Sequence, residues 1–146
     1  MTRTAILRGY LVAFVDDHSR FLVGYGLHAN TSSALVLELL RASIASYVPP
    51  AEILTDNGPQ YVTWRRKSQF SRKLEPQRIR QVISHPKNPQ TLGKIERFRV
   101  TMWIECLQRA VFLDLEVARR RIGLFIDHYN FQRPHQGLDG LTPADR

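Results

Sequence analysis

Residues 53–61 read Ile-Leu-Thr-Asp-Asn-Gly-Pro-Gln-Tyr, "ILTDNGPQY": a short apolar run that stops at a carboxylate, Asp56, and turns at once. The run follows a stretch at 31–48 in which Thr31, Ser32 and Ser33 offer capping hydroxyls. Leu35, Leu39, Ala42 and Tyr47 recur there at near-helical spacing, and Pro49-Pro50 ends the pattern. A strand reached through a helix is expected to lie parallel to a neighbour, so "EILTD" at 52–56 predicts an α/β arrangement. Ligands of open α/β sheets collect beyond the carboxyl ends of strands, which makes Asp56 a candidate functional carboxylate. Asp-Asn-Gly-Pro is also good turn chemistry in its own right, and the segment alone supports either role.

Working outward, "YLVAFVDD" at 10–17 and "FLVGYGLHA" at 21–29 are β-branched and aromatic runs separated by His18-Ser19-Arg20, which predicts a hairpin. Residues 58–75 mix Tyr61, Trp64 and Phe70 with Arg65, Arg66, Lys67, Arg72 and Lys73, and predict one basic helix with its aromatics inward. "QRIRQVIS" at 77–84 alternates like a strand, and "HPKNPQT" at 85–91 has the composition of a loop. From Leu92 to Ala110, Ile95, Phe98, Met102 and Cys106 form a stripe at helical spacing. A last helix at about 114–130 carries Val117, Ile122, Phe125, Ile126 and Tyr129, and the Pro- and Gly-punctuated tail after it is expected to wrap the surface. The order of elements is that of one layered α/β domain over 1–146, with residues from about 112 to 146 as its closing helix and tail.

Composition narrows the partners. Twenty-one Lys and Arg against 13 Asp and Glu leave a formal charge of +8 in 146 residues, an excess that draws polyanions through long-range attraction and counterion release. Nucleic acid is the leading candidate. The single cysteine, Cys106, excludes an intrachain disulfide and a cysteine-based zinc site, and suits a reducing cytosol. The start, "MTRTAILR", lacks the apolar segment of a secretion signal, and no apolar run approaches membrane-spanning length.

Glu96 is the second carboxylate of interest. It lies one position off the apolar stripe of its helix, with Lys94, Arg97 and Arg99 around it, where a solvated ion pair is the ordinary fate. Two acids forty positions apart are by themselves a weak pointer to a metal site.

The two segments together, "ILTDNGPQY" and then "HPKNPQTLGKIERF", resemble the second and third acidic motifs of DDE transposases and retroviral integrases, and in particular the catalytic cores of bacterial insertion-sequence transposases. Asn-Pro-Gln-Thr-Leu-Gly-Lys-Ile-Glu-Arg at 88–97 is the most specific part. "VDDHSRFLVGYGL" at 15–27 resembles the family's second and third strands, and "YNFQRPHQGLDGLTPAD" at 129–145 its closing Tyr-Asn-x-x-Arg-Pro-His-x-x-Leu signature. The resemblance implies a ribonuclease H-like fold, a mixed sheet flanked by helices, with carboxylates that hold two Mg²⁺ or Mn²⁺ ions. Asp56 and Glu96 match the second and third of those carboxylates. Lys94 and Arg97, with the 65–73 cluster of Arg65, Arg66 and Lys67, are then expected at the DNA. Transposon ends and target DNA are the implied substrates, other copies of the chain the implied partners, and the bacterial cytoplasm and nucleoid the implied setting.

One departure stands out. The family's first aspartate lies on the first strand, yet the earliest acidic residue here is Asp16, so the first strand is expected to be missing or incomplete, with residues 2–7 supplying at most its end. Asp16 and Asp17 match a hairpin turn of the family, which gives them a structural role, although Asp16 lies on the adjacent strand. The expectations are therefore a strand-transfer enzyme core, probed through Asp56 and Glu96, or a truncated remnant that binds DNA and does not cut it. A ribonuclease H-type nuclease shares the metal chemistry but leaves "GKIER" and the closing signature unexplained. His85 is a lesser candidate for touching substrate, Cys106 is expected to be core, and Tyr129, Asn130, Arg133, Pro134 and His135 a packing and docking element.

Overall fold

Two runs rich in β-branched and aromatic residues make the first described element a hairpin. In the computed structural model, which describes residues 9–56, 58–84 and 93–146, β1 (Tyr10–Val15) runs antiparallel to β2 (Leu22–His28), with a bulge between Phe14 and Val15. The turn is held from within. Asp16 Oδ2 accepts from the Ser19 backbone N–H at 2.7 Å and from its hydroxyl at 2.6 Å, while Arg20 takes a left-handed backbone with φ 64°. Residues 2–7, expected to end the family's first strand, lie outside the described residues.

Contacts within the chain group it into two units: the described residues of Met1–Asn30 with Lys94–Arg146, and those of Thr31–Gly93. In the first unit, α3 (Gly93–Met102) continues into a π-helical turn, Trp103–Leu107, and α4 spans Leu115–Phe131 with Asp114 as its cap. Phe98, Met102 and Cys106 of the predicted stripe are buried with Leu22, Ile122, Phe125, Ile126 and Tyr129, and Ile95 packs against them. Phe98 meets the Tyr129 ring edge-on at 5.2 Å, a geometry that adds to area burial. The tail departs from its expected surface course: His135, Leu138 and Pro143 are all buried. Two 3-10 turns, Gln136–Leu138 and Pro143–Asp145, fold it back, and a capping box between Thr142 and Asp145 fixes the second.

In the second unit, α1 (Ser33–Ser46) starts at Ser32, whose hydroxyl accepts from the Leu35 N–H. Its buried face is Val36, Leu37, Leu40 and Ser43, one step round from Leu35, Leu39 and Ala42. The strand β3 (Glu52–Thr55) pairs in parallel with β4 (Arg80–Ile83), as the strand-through-helix reading expected of a parallel neighbour. The basic helix expected over 58–75 is not formed as one element. Turns and bends occupy 59–66, and only α2 (Gln69–Leu74), capped by the Ser68 hydroxyl, is helical. Of its aromatics Phe70 is buried, but Trp64 is 87% exposed. Ser68 explains the break, because its side chain turns back to accept from Ser71 N–H and donate to Tyr61 O, an alternative to helix continuation.

Candidate active site

Asp56 follows the last residue of β3, and the strand end beneath it is tied down by polar bonds. Thr55, 4% exposed, accepts from Gln81 Nε2 at 3.0 Å, its carbonyl accepts from Ser84 N–H at 2.8 Å, and Gln81 reaches the Tyr61 carbonyl as well. Gln81 was not singled out in the sequence; a long amide beside Arg80 and before Val82 and Ile83 gave no signal of its own. Asp56 itself is exposed, and its Oδ1 accepts from the Gly58 N–H at 2.8 Å, the bond of an Asx turn. A Cβ at 58 would come within 2.8 Å of Asp56 Oδ1 and Gln60 Oε1, so a side chain there would displace the Asp56 carboxylate from its turn. Turn-making thus uses one carboxylate oxygen. The other has no hydrogen-bond partner among the described residues.

Glu96 occupies the first turn of α3, a position where the helix dipole favours an anion. Its Oε1 accepts from Arg99 Nη1 at 2.6 Å with both side chains more than half exposed. An exposed pair of this kind contributes about 0.2–1 kcal/mol, too little to hold the carboxylate against a divalent cation. Lys94, on the same helix, binds the Asp17 carboxylate and carbonyl, each at 2.8 Å, and Arg97 is exposed. Asp56 belongs to the Thr31–Gly93 unit and Glu96 to the other.

Asp16 is spoken for. Burial pushes its carboxyl pKa up, but the Ser19 hydroxyl, the Ser19 N–H and the nearby His18 outweigh it and hold the group below its usual value. Both Ser19 bonds fall on Oδ2, the pattern of a turn carboxylate, as expected of the hairpin. Arg65, Arg66 and Lys67 lie exposed in the 59–66 bends and just beyond. The Arg65 guanidinium covers the Trp64 ring at 4.7 Å, and Lys67 pairs with Glu75. In the C-terminal element Arg133 grips Glu105 through both Nε and Nη2, at 2.7–3.1 Å, which holds the Glu105 carboxyl below its usual range. Asn130, buried in α4, brackets the Leu22 backbone, accepting from its N–H at 2.9 Å and donating to its C=O at 3.1 Å. Cys106 is buried, and burial raises its thiol pKa. His85 lies outside the described residues.

Among the described residues no three or more His, Cys, Asp or Glu side chains group as a metal cluster. The donors at Asp56 and Glu96 nonetheless suit a hard cation: each is an exposed carboxylate with one oxygen unengaged by described residues, and Mg²⁺ needs only one or two such groups beside water and phosphate. Among the described residues no helix is long and apolar enough to cross a membrane.

Residues 3–89 match the family described as integrase core domain, and residues 77–143 match a second family of the same description. The chain belongs to the integrase core domain family. The two matched ranges of this integrase core take in both Asp56 and Glu96. It is 30% identical over 139 residues to the transposase for insertion sequence element IS904 of Lactococcus lactis, covering 93% of this chain and 53% of that protein. It is 23% identical to the transposase InsF for insertion sequence IS3A of Escherichia coli, over 92% of this chain and 46% of the relative. The integrase core thus spans about half the length of the curated relatives it matches. Among solved structures, an integrase catalytic core of HTLV-2 in complex with magnesium superposes with a TM-score of 0.63 at 17% identity, over 93% of this chain and 90% of the other. The likeness shows an α/β fold of the ribonuclease H-like kind found in integrase catalytic cores.

Proposed function

We propose that this integrase core serves DNA transposition, through metal-dependent phosphodiester cleavage and strand transfer at transposon DNA ends. The observation that carries the reading is the integrase core match running through Asp56 and Glu96, each an exposed carboxylate with an oxygen to spare. Asp56 and Glu96 would hold Mg²⁺ or Mn²⁺. Such ions, when bound, activate the attacking water or 3′-hydroxyl and stabilise the leaving oxygen of an in-line displacement. The chain's own residues do the positioning. The Gly58 N–H, donating to Oδ1, orients the Asp56 carboxylate. Lys94 and Arg97 on α3, with Arg65, Arg66 and Lys67, bind the DNA backbone, whose phosphates reward each cation by releasing counterions. The kinship to insertion-sequence transposases supports transposon ends as the substrate, and the dimeric and trimeric forms in which the HTLV-2 integrase core is known support a homo-oligomer as the working state, with the bacterial nucleoid as its proposed setting.

A second reading has its own observation. Asp16, the earliest acid of the chain, caps its own turn through Oδ2, and among the described residues no three or more His, Cys, Asp or Glu side chains group as a metal cluster. On that reading the 146-residue chain binds DNA and cuts only when a further aspartate-bearing strand is supplied. Incubating the chain with Mg²⁺ and labelled transposon-end DNA decides between them. Nicked and joined strands that vanish in Asp56→Asn and Glu96→Gln support the first reading. Binding without products, with activity appearing on addition of the upstream segment, supports the second. Products unchanged in both variants refute the assignment of the two carboxylates.

A further inference from the structure

Within the Thr31–Gly93 unit, the segment between Pro59 and α2 closes a cavity of about 440 Å³ beside the start of α1. Its walls carry the cations Arg66, Lys67 and Arg72, with Ser33, Thr63 and Gln69 as neutral polar groups. That volume lies within the about 300–1,000 Å³ of ordinary ligand sites and has room for a nucleotide, not only a bare ion. Lys67 is partly neutralised by Glu75, but among the described residues no carboxylate pairs with Arg66 or Arg72. Two guanidiniums facing one cavity without a counter-charge repel each other, and the ligand that relieves this is a polyatomic anion able to accept their planar forks, above all a phosphate.

Between Thr63 and Arg66 of the cavity wall the chain carries Trp64 and Arg65. Trp64 is 87% exposed, and Arg65 covers its ring at 4.7 Å. A large exposed indole buries nothing of its own unit, so folding does not explain it. Its flat face suits the π-face of a base, and a base offers that face only once it has left the stack.

We propose that this cavity seats a backbone phosphate of a DNA strand where it leaves the duplex, and that Trp64 stacks the unpaired base beside that phosphate. The site rests on the reading of the chain as a DNA strand-transfer core and adds to it a preference: DNA with an unpaired flank is bound in favour of continuous duplex. Arg66 and Arg72 supply the charge-assisted hydrogen bonds, Ser33 and Gln69 the neutral ones, and Arg65 keeps the indole face set.

The test measures binding of the 146-residue chain to fluorescent forked DNA with an unpaired flank and to duplex of equal length, in EDTA and over a range of salt. Arg66→Ala combined with Arg72→Ala is expected to flatten the plot of log affinity against log salt by about 0.7, the value for one single-strand phosphate contact. Lys73→Ala, on the same helix and outside the cavity wall, controls for net charge and should change the slope less. Trp64→Ala should weaken the forked DNA about 5- to 150-fold, the range of one lost stacking contact, and leave duplex nearly untouched. Arg66→Lys, which keeps the charge, should restore most of the slope. An unchanged slope in the double arginine variant, or equal losses on fork and duplex in Trp64→Ala, overturns the proposal. Binding in EDTA is independent of cutting. A chain that shows the expected binding but no Mg²⁺-dependent products refutes the catalytic reading and keeps the cavity, whereas normal cutting with unaltered binding in the variants does the reverse.

Discussion

Asn130→Ala is the substitution whose cost the structure sets most sharply. Asn130 is 4% exposed, and its amide satisfies both the N–H and the C=O of Leu22, itself 3% exposed at the start of β2. Alanine removes both partners and leaves a buried donor and a buried acceptor, each costing about 1–3 kcal/mol. Partial entry of water into the gap trims the sum to about 2–5 kcal/mol, a large share of the roughly 5–15 kcal/mol that holds a typical domain together. Urea unfolding followed by circular dichroism measures it: with a slope of about 2 kcal/mol per M, a loss of 3 kcal/mol lowers the midpoint by about 1.5 M. Asn130→Asp sharpens the test. The carboxylate still accepts from the Leu22 N–H, but its second oxygen faces the Leu22 carbonyl, so burial and repulsion raise its folded pKa above the unfolded value of about 3.9. The folded state then holds the extra proton more tightly, and the variant's deficit grows as pH rises through the window between those two values. A loss below about 0.5 kcal/mol for Asn130→Ala, or a deficit in Asn130→Asp that does not vary with pH, refutes the clamp.

Phe98→Ala should cost about 3–5 kcal/mol in the same assay, because the ring is 1% exposed among Met102, Ile122, Ile126 and Tyr129; a cost below 1 kcal/mol contradicts the assigned core. His135 gives a pH signature. Burial first, then the neighbouring Arg133, depress its pKa, and its Nε2 is buried with no hydrogen-bond partner among the described residues. The unfolded chain therefore binds the proton more readily, so the stability His135 contributes is complete above about pH 6.5 and is lost as pH falls through the depressed folded value. Melting temperatures between pH 7.5 and 5 should fall in the wild type and fall less in His135→Gln; equal slopes contradict this.

What was legible in the sequence was whatever a period or a single side chain decides locally. The hairpin followed from two β-branched and aromatic runs on either side of His18-Ser19-Arg20, and the α3 stripe of Phe98, Met102 and Cys106 from helical spacing. The parallel partnership of β3 followed from a strand reached through a helix. Segment 58–75 was misleading because its composition is helix-compatible while Ser68 diverts the backbone, and because an aromatic such as Trp64 reads as core unless a partner surface is known. The buried tail was obscured by its Pro and Gly, which mark turns without saying whether those turns face solvent; His135 and Leu138 are buried, and His135 meets the Tyr129 ring edge-on. Asp56 and Glu96 were visible through their motifs, whereas the bonds that prepare them, from Gly58 and from Arg99, follow from local geometry. The cavity of Arg66 and Arg72 has no sequence period, since Ser33 and Gln69 reach it from separate elements.

Manganese affinity, read from the loss of the free-ion paramagnetic resonance signal, addresses the two carboxylates without requiring turnover. The wild-type chain should bind Mn²⁺, with at least about tenfold weaker binding in Asp56→Asn and again in Glu96→Gln, and little change in Asp16→Asn, whose Oδ2 is held in the hairpin turn by Ser19. Binding that survives loss of both Asp56 and Glu96, or that disappears with Asp16 alone, contradicts the account.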